Sequence, residues 1–354
     1  MTALPLSSSA ASATTDAEVA TRCLPPPTAH AEVHSVVARD PARQAFANAL
    51  LNALTQTPHR ISPKFFYDQA GSALFEKICT LPEYYPTRTE LHILSTHAAD
   101  MARCIGPRAD IVEFGAGASR KIGLLLEALV QPLRYTPIDI SGEHLTQAVA
   151  TLQRSFPHIA MQPVTADFTQ AFNLPPPLAG ATRVGFFPGS TLGNFNPPDA
   201  LAFLRRAAGL LRGGGLLLGI DLVKEPSRLH AAYNDAAQVT AEFNLNLLQR
   251  ANRELGADFD LTGFAHHAPY DPVRQRVDMY LVSRRPQAVR FLGREFFLKE
   301  GDCLHTESSH KYTVDGLRRM ATEAGFTPGP VWCDPERLFS VHWLRAPAAD
   351  HAGR

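Results

Sequence analysis

The sequence predicts an α/β fold: a doubly wound, mostly parallel sheet with helices ahead of it and an α+β block set into it. Three observations carry this. Strand-sized apolar segments alternate with amphipathic helices from residue 109 to 223, a Gly-Ala-Gly turn ends the first of those strands, and the alternation stops at 226 to resume after 312. At 354 residues the chain exceeds the size at which a single core stops growing, so an elaborated domain is expected.

Residues 1–40 are rich in Ala, Ser, Thr and Pro and lack the basic start and apolar run of a secretory signal; they read as a disordered extension. From 41 to 105, ARQAFANALLNAL, SALFEKICTL and TRTELHILSTHAADMARCI space their apolar residues three and four apart, giving an N-terminal helical segment. Residues 106–226 and 313–350 form a Rossmann-like unit. Its strands are ADIVEFG, RYTPIDIS, IAMQPVTADF, TRVGFFPGS and GGLLLGIDLV, its helices KIGLLLEALV, EHLTQAVATLQRSF and PDALAFLRRAAGLL. After the helix TVDGLRRMATEAG, TPGPVWCD and RLFSVHWLRA read as two strands that end the sheet. The insertion, 227–312, holds a helical stretch (SRLHAAYNDAAQVTAEFNLNLLQRANREL) and the alternating segments RVDMYLVS and REFFLKEGDCLHTESS, and such a block caps a site.

Composition narrows the partners. Lys+Arg 34 balances Asp+Glu 34, which removes the electrostatic footprint of a nucleic-acid or anionic-membrane binder and favours small molecules. The longest apolar stretch, GGGLLLGIDLV, is strand-sized, so no membrane span is expected. Cysteines 23, 79, 104, 303 and 333 are scattered, and His266, His267, His305 and His310 complete no ligand set. Neither a disulfide framework nor a metal site is predicted. A cytoplasmic monomer is the expectation.

In open α/β sheets ligands sit beyond the carboxyl ends of the strands. VEFGAGASRK puts Gly115 and Gly117 where the first strand ends, a turn that admits a ligand close to the backbone. Asp139 ends the second strand, where a carboxylate can accept both ribose hydroxyls; capping of the following helix is the plainer alternative. Asp167 and Phe168 end the third, placed for an adenine amino group and an adenine face. A dinucleotide would want a third glycine where GAGASRK has Ser119, Arg120 and Lys121. A ribose and an adenine without a diphosphate point to S-adenosylmethionine over NAD, and two late strands suit the class I methyltransferase version of the fold.

Four longer motifs, FFYDQAGSALFEKICTLPEYYPTRTE, VEFGAGASRK, FFPGSTLGNF and HTESSHKY, together resemble the ergothioneine-pathway L-histidine Nα-methyltransferases, over about residues 45 to 345. The resemblance implies three methyl transfers from S-adenosylmethionine to the α-amine of L-histidine and its methylated forms, giving hercynine. It further implies that Asn194 and Tyr233 hold the substrate carboxylate, Gly189 sits beside the amine, Tyr84 beside the ring, and Met279 lines the pocket. Glu307 and Ser309 would bind the imidazole. Gly115, Lys121, Asp139, Asp167 and Phe168 fall on donor-binding positions, and Tyr67 is a further contact, so that Asn194, Tyr233, Gly189 and Tyr67 surround the reacting amine.

The chemistry of these residues agrees: an imidazole bears one N–H donor and one acceptor, and a carboxylate beside a hydroxyl satisfies both. Two apart on a strand, Glu307 and Ser309 share a face. Alternatives are an N-methyltransferase for a tryptophan-type or other small amine, an NAD-dependent dehydrogenase, and a catalytically silent sensor of the methyl donor. No residue stands out as a general base.

Overall fold

The structure, a computed structural model, describes residues 40–117 and 120–349. The expected extension at 1–40 therefore lies outside the described residues except for Asp40. Asp40 caps helix α1 (Pro41–Thr55), its Oδ1 accepting the N–H of Ala42 at 2.9 Å. Helix α2 (Gln69–Ile78) is capped likewise by Asp68, and α3 (Tyr85–Ile105) opens with Pro86 in its first turn and ends at Gly106, where φ is +82°.

The main sheet is built around β1 (Ala109–Phe114), buried along its whole length. On one side lie β5 (Thr182–Phe187) and β6 (Gly215–Asp221), on the other β2 (Arg134–Asp139) with the short β3 (Ala160–Met161) and β4 (Val164–Thr165), all parallel. The closing strands β13 (Thr327–Cys333) and β14 (Phe339–Arg345) form an antiparallel pair, β14 running antiparallel to β6. The sheet thus has the doubly wound form expected, with its switch point at β1, from which the chain leaves first toward β2 and later toward β5. At the opposite end of the strands Arg134 grips buried Asp110 with two 2.8 Å hydrogen bonds, and Arg183 adds a third at 3.0 Å. This pairs the charges and ties β1, β2 and β5 together.

Helices α4 (Arg120–Ala128), α5 (Gly142–Ser155) and α6 (Pro197–Leu210) supply the crossovers, and α9 (Val314–Glu323) precedes the closing pair. The insertion holds α7 (Pro226–Tyr233), α8 (Val239–Leu255) and an antiparallel sheet. That sheet orders β12 (Cys303–His310), β9 (Arg276–Ser283) and β7 (Phe264–His267), with β8 (Tyr270–Asp271) also pairing with β9. A separate hairpin joins β10 (Gln287–Phe291) to β11 (Arg294–Leu298).

Local chemistry explains where the structure departs from the sequence pattern. The expected third strand is two fragments because Pro163, between β3 and β4, has no N–H to give the ladder. The helical stretch after 226 breaks at Asn234, and Asp235 then accepts the N–H groups of Val239 and Thr240 to start α8 anew. The run REFFLKEGDCLHTESS is two strands, turned at Gly301, where φ is +84°.

Two hydrophobic cores flank the main sheet. A third packs Phe46, Leu50, Phe66 and Tyr85 of the N-terminal segment with Tyr233, Phe243, Leu247, Met279 and Leu281 of the insertion. Stretches some two hundred residues apart in sequence thus share one interior, while Ile93 to Ile105 of α3 join a core of the main sheet.

Candidate active site

The donor side is built at the carboxyl ends of β1, β2 and β4. Gly115 turns the chain at φ +72°, where an added Cβ would make only ordinary contact with the Phe168 ring at 3.5 Å, and at Gly117 it would meet nothing within 4 Å, so the turn is open to close approach by a ligand. Phe168 packs edge-on against Phe114, Phe187 and Phe203.

Asp139 Oδ1 accepts the N–H of Ser141 at 2.8 Å just ahead of α5. Asp167 accepts from the Thr169 hydroxyl, from Lys64 Nζ at 2.9 Å and from the Thr169 N–H at 3.0 Å; burial pushes its pKa up, but these donors outweigh it and hold the carboxyl below its usual value. Glycines, two acids and an aromatic face fit S-adenosylmethionine. Gly115, Gly117, Asp139, Asp167 and Phe168, the residues expected at the donor, all lie at or just beyond the carboxyl ends of β1, β2 and β4.

The acceptor side faces it from β12, α7 and the N-terminal segment. Glu307 and Ser309 lie opposite Met279 and Val277 of β9, just after a bulge at Thr306. Thr306 anchors that bulge by donating to Asn244 Oδ1 at 2.8 Å. The Glu307 carboxyl is buried, and burial pushes its pKa up to about 7, with Lys311 partly offsetting the shift. Asn194 Nδ2 donates to Glu307 Oε2 at 3.4 Å, and Tyr233 Oη donates to Ser309 Oγ at 2.7 Å. Asn194 and Tyr233, expected together on a substrate carboxylate, are thus each tied to one of the two ring-side residues instead.

Tyr67 packs edge-on against Phe75 and Phe243, and burial, then the Glu307 charge, raise the pKa of its hydroxyl well above its ordinary value, so the phenol stays protonated. The neighbours Tyr84 and Tyr85 part company. Tyr84 packs edge-on against Phe75, whereas Tyr85 is buried and shares its hydroxyl proton between Asp221 Oδ1 and Oδ2 at 2.9 and 2.8 Å. Gly189 lies on a sharp turn after β5, where φ is +79° there and +58° at Ser190. Ser190 Oγ pins that turn by accepting the Asp221 N–H at 2.9 Å.

Four residues absent from the sequence reading, Glu90, Asp221, Lys224 and Lys311, surround these groups. Glu90, on α3, accepts the Gly189 N–H and pairs with Lys121 Nζ at 2.7 Å, so the lysine expected at the methyl donor has one partner already. Asp221, at the end of β6, is buried between Lys224 and Lys311. Burial raises its pKa, but the two ammonium groups outweigh that and keep it ionised; burial lowers Lys224 to about 8. An acid at the carboxyl end of an apolar strand, as in GIDLV, was the available signal for Asp221. Glu90 offered only a polar position in an amphipathic helix. Among the described residues no three His, Cys, Asp or Glu side chains are grouped to hold a metal.

A doubly wound sheet closed by an antiparallel pair, with glycines and two acids at its switch point, is the class I methyltransferase form of the fold. The chain belongs to the S-adenosylmethionine-dependent histidine-specific methyltransferase family, whose model matches residues 46–346. It is 39% identical to the histidine N-alpha-methyltransferase of Mycolicibacterium smegmatis, over 86% of this chain and 96% of that one. The histidine N-alpha-methyltransferase of Mycobacterium tuberculosis is 37% identical over 85% and 95%. Ergothioneine biosynthesis protein 1 of Neurospora crassa is 30% identical over 78% of this chain and 32% of its own length. No helix among the described residues is long and apolar enough to cross a membrane.

Proposed function

We propose that this enzyme methylates the α-amine of L-histidine three times, giving hercynine for ergothioneine synthesis, and that it does so as a cytoplasmic monomer. The reading rests above all on the family match over residues 46–346, and the Glu90 carboxylate, which joins Lys121 to the backbone of Gly189, supports a single cleft for both ligands. The relatives named above, and the zero net charge, support it.

S-adenosylmethionine, when bound, supplies a methyl group on a sulfonium for in-line displacement. The chain supplies alignment and a neutral nitrogen. Asn194 and Tyr233 would hold the substrate carboxylate, exchanging their present partners for it, and Glu307 and Ser309 would hold the ring, with Tyr84 and Met279 as walls. Anchored at both ends, the substrate keeps its amine free to rotate between transfers beside Gly189. An α-amine titrates near 7.7 to 8.0 in model peptides, so a proton must leave before attack. Tyr67, held neutral by burial, can take an N–H in its lone pair and steer that proton toward water without serving as a strong base. The N-terminal segment 41–105 and the insertion 227–312 act as one acceptor-binding unit over the Rossmann-like remainder.

Incubation with L-histidine and S-adenosylmethionine followed by mass spectrometry tests the reading: three successive methyl increments are expected. Turnover of a prenylated tryptophan in preference to histidine would overturn it. Light scattering checks the monomer.

A further inference from the structure

We propose that Lys64 is a further residue of the methyl-donor site and that, together with Asp167, it reads the edge of adenine that carries N6 and N7. The proposal rests on the reading of Asp167 as the acceptor for the adenine amino group. Asp167 Oδ1 accepts both the N–H and the hydroxyl of Thr169, which occupies its two lone pairs. Oδ2 accepts from Lys64 Nζ at 2.9 Å and keeps one lone pair. These donors hold the carboxyl ionised, so it can only accept. Among the described residues the Lys64 ammonium has this one acceptor, and its side chain is 36% exposed, which leaves two of its protons for a ligand or for water.

Oδ2 and Nζ therefore offer a free acceptor beside a free donor, 2.9 Å apart. Adenine presents the complement, a donor at N6 beside an acceptor at N7. An acceptor next to a donor is how Asn and Gln side chains grip that same edge in nucleic acids. Inosine, with a carbonyl oxygen in place of the amino group, would set that oxygen against Asp167. A base with CH at position 7 would leave the Lys64 proton without its acceptor.

The lysine is delivered from the acceptor side. It belongs to the 3₁₀ turn Pro63–Phe66, where Phe65 stacks on Phe46 and Phe66 packs on Phe243 at 4.5 Å. Arg250 Nη1 on α8 donates to the Phe65 carbonyl at 2.9 Å and fixes the backbone next to Lys64. From this clamped turn Lys64 reaches a carboxylate 103 residues further along the chain. On the other side, β2 and β4 end side by side, with Asp139 opposite Thr165, and Ile140 just beyond is 43% exposed. An uncovered apolar side chain and the Phe168 ring, set among polar groups, suit a flat base with a polar edge.

Isothermal titration of the whole protein tests this with three probes: S-adenosylhomocysteine, its 7-deaza analogue, and S-inosylhomocysteine. The wild type is expected to bind S-adenosylhomocysteine about fivefold or more tighter than the 7-deaza analogue, and about tenfold or more tighter than the inosine analogue. In Lys64→Met the first preference should fall below about twofold, because S-adenosylhomocysteine weakens while the 7-deaza analogue keeps its affinity. The second preference should remain. Comparing the two proteins separates a contact at N7 from any change in stacking that the analogue itself brings. Equal weakening of both adenine probes in Lys64→Met would overturn the proposal and leave Lys64 a counter-ion of Asp167. So would a wild type, which needs no variant to fold, that binds the 7-deaza analogue as tightly as S-adenosylhomocysteine while still rejecting the inosine analogue. Acceptance of the inosine analogue at full affinity would instead remove Asp167 from the amino group, and the proposal would fall with that reading.

Discussion

The carboxylate of Glu90 clasps the backbone N–H of Gly189, with its two oxygens at 3.0 and 2.9 Å. The same carboxylate pairs with Lys121, so one buried acid on α3 joins a residue proposed to meet the methyl donor to the turn proposed to lie beside the substrate amine. It also lies against β6, where a Cβ added at Gly219 would come within 2.0 Å of Glu90 Oε1. Glu90→Gln keeps the shape and loses the charge. The expected result is a fall in kcat/KM of roughly 5- to 100-fold, matching the loss of a charge-assisted buried hydrogen bond of about 1–3 kcal/mol. Gly219→Ala should displace the carboxylate and reproduce the defect. Steady-state kinetics on both variants decide; wild-type kinetics in either would refute the linkage.

Glu307 makes function and stability pull in opposite directions. Its folded pKa of about 7 exceeds the ~4.3 of an unfolded glutamate, so the folded state binds the extra proton between those values and stability falls as pH rises through that window. Glu307→Gln should therefore raise the melting temperature of the ligand-free protein by several degrees at pH about 8 and leave it unchanged near pH 4. The same variant should weaken histidine binding. In the wild type, affinity for histidine should climb as pH rises through about 7, as the carboxyl becomes a full acceptor for the ring N–H, and this climb should flatten in Glu307→Gln. Calorimetry across pH checks both halves.

Asp221 carries the opposite sign. Its pKa is lowered in the fold by Lys311 and Lys224, against the effect of burial, so its stabilisation is present above the ordinary carboxylate range and disappears as pH falls below it. Asp221→Asn should cost about 3 kcal/mol or more at neutral pH, because two ammonium groups are left buried without their counter-charge. The loss should shrink in acid. Urea titration at two pH values is the test.

On the donor side, Asp139→Asn preserves the size of a side chain that already orders the turn by accepting the Ser141 N–H. An amide can still accept there but cannot accept twice from a ribose diol with a full charge. Dissociation of S-adenosylmethionine should weaken by about tenfold or more, while KM for histidine under saturating donor stays unchanged. Isothermal titration that found equal affinity would remove Asp139 from the donor site.

The sheet was legible because its signal is local: β1, β2, β5 and β6 are apolar runs between amphipathic helices, and period alone separates them. The split of the third strand at Pro163 and the hairpin of β10 with β11 were not foreseen; the hairpin's alternation is short and its edges are exposed. The pocket residues were legible through motif, since Glu307, Ser309 and Asn194 sit in distinctive strings. Glu90 and Lys311 were not, although both lie in segments that the motifs cover. Their partners are remote in sequence, Gly189 99 residues from Glu90, and Asp221 on a different sheet from the strand before Lys311. A side chain that acts by holding another leaves no periodic trace; only the folded distance gives it away.

The interior shared by Phe46, Phe66, Phe243 and Met279 has a consequence for how such an enzyme changes its diet. The walls proposed for the amino acid belong to a compartment braced by α1, α2 and α8, apart from the two cores that brace the main sheet. Substitutions that reshape the first compartment need not disturb the second. A lineage can therefore retailor its acceptor while inheriting the methyl-donor machinery intact, provided the long helix that runs through both keeps its footing.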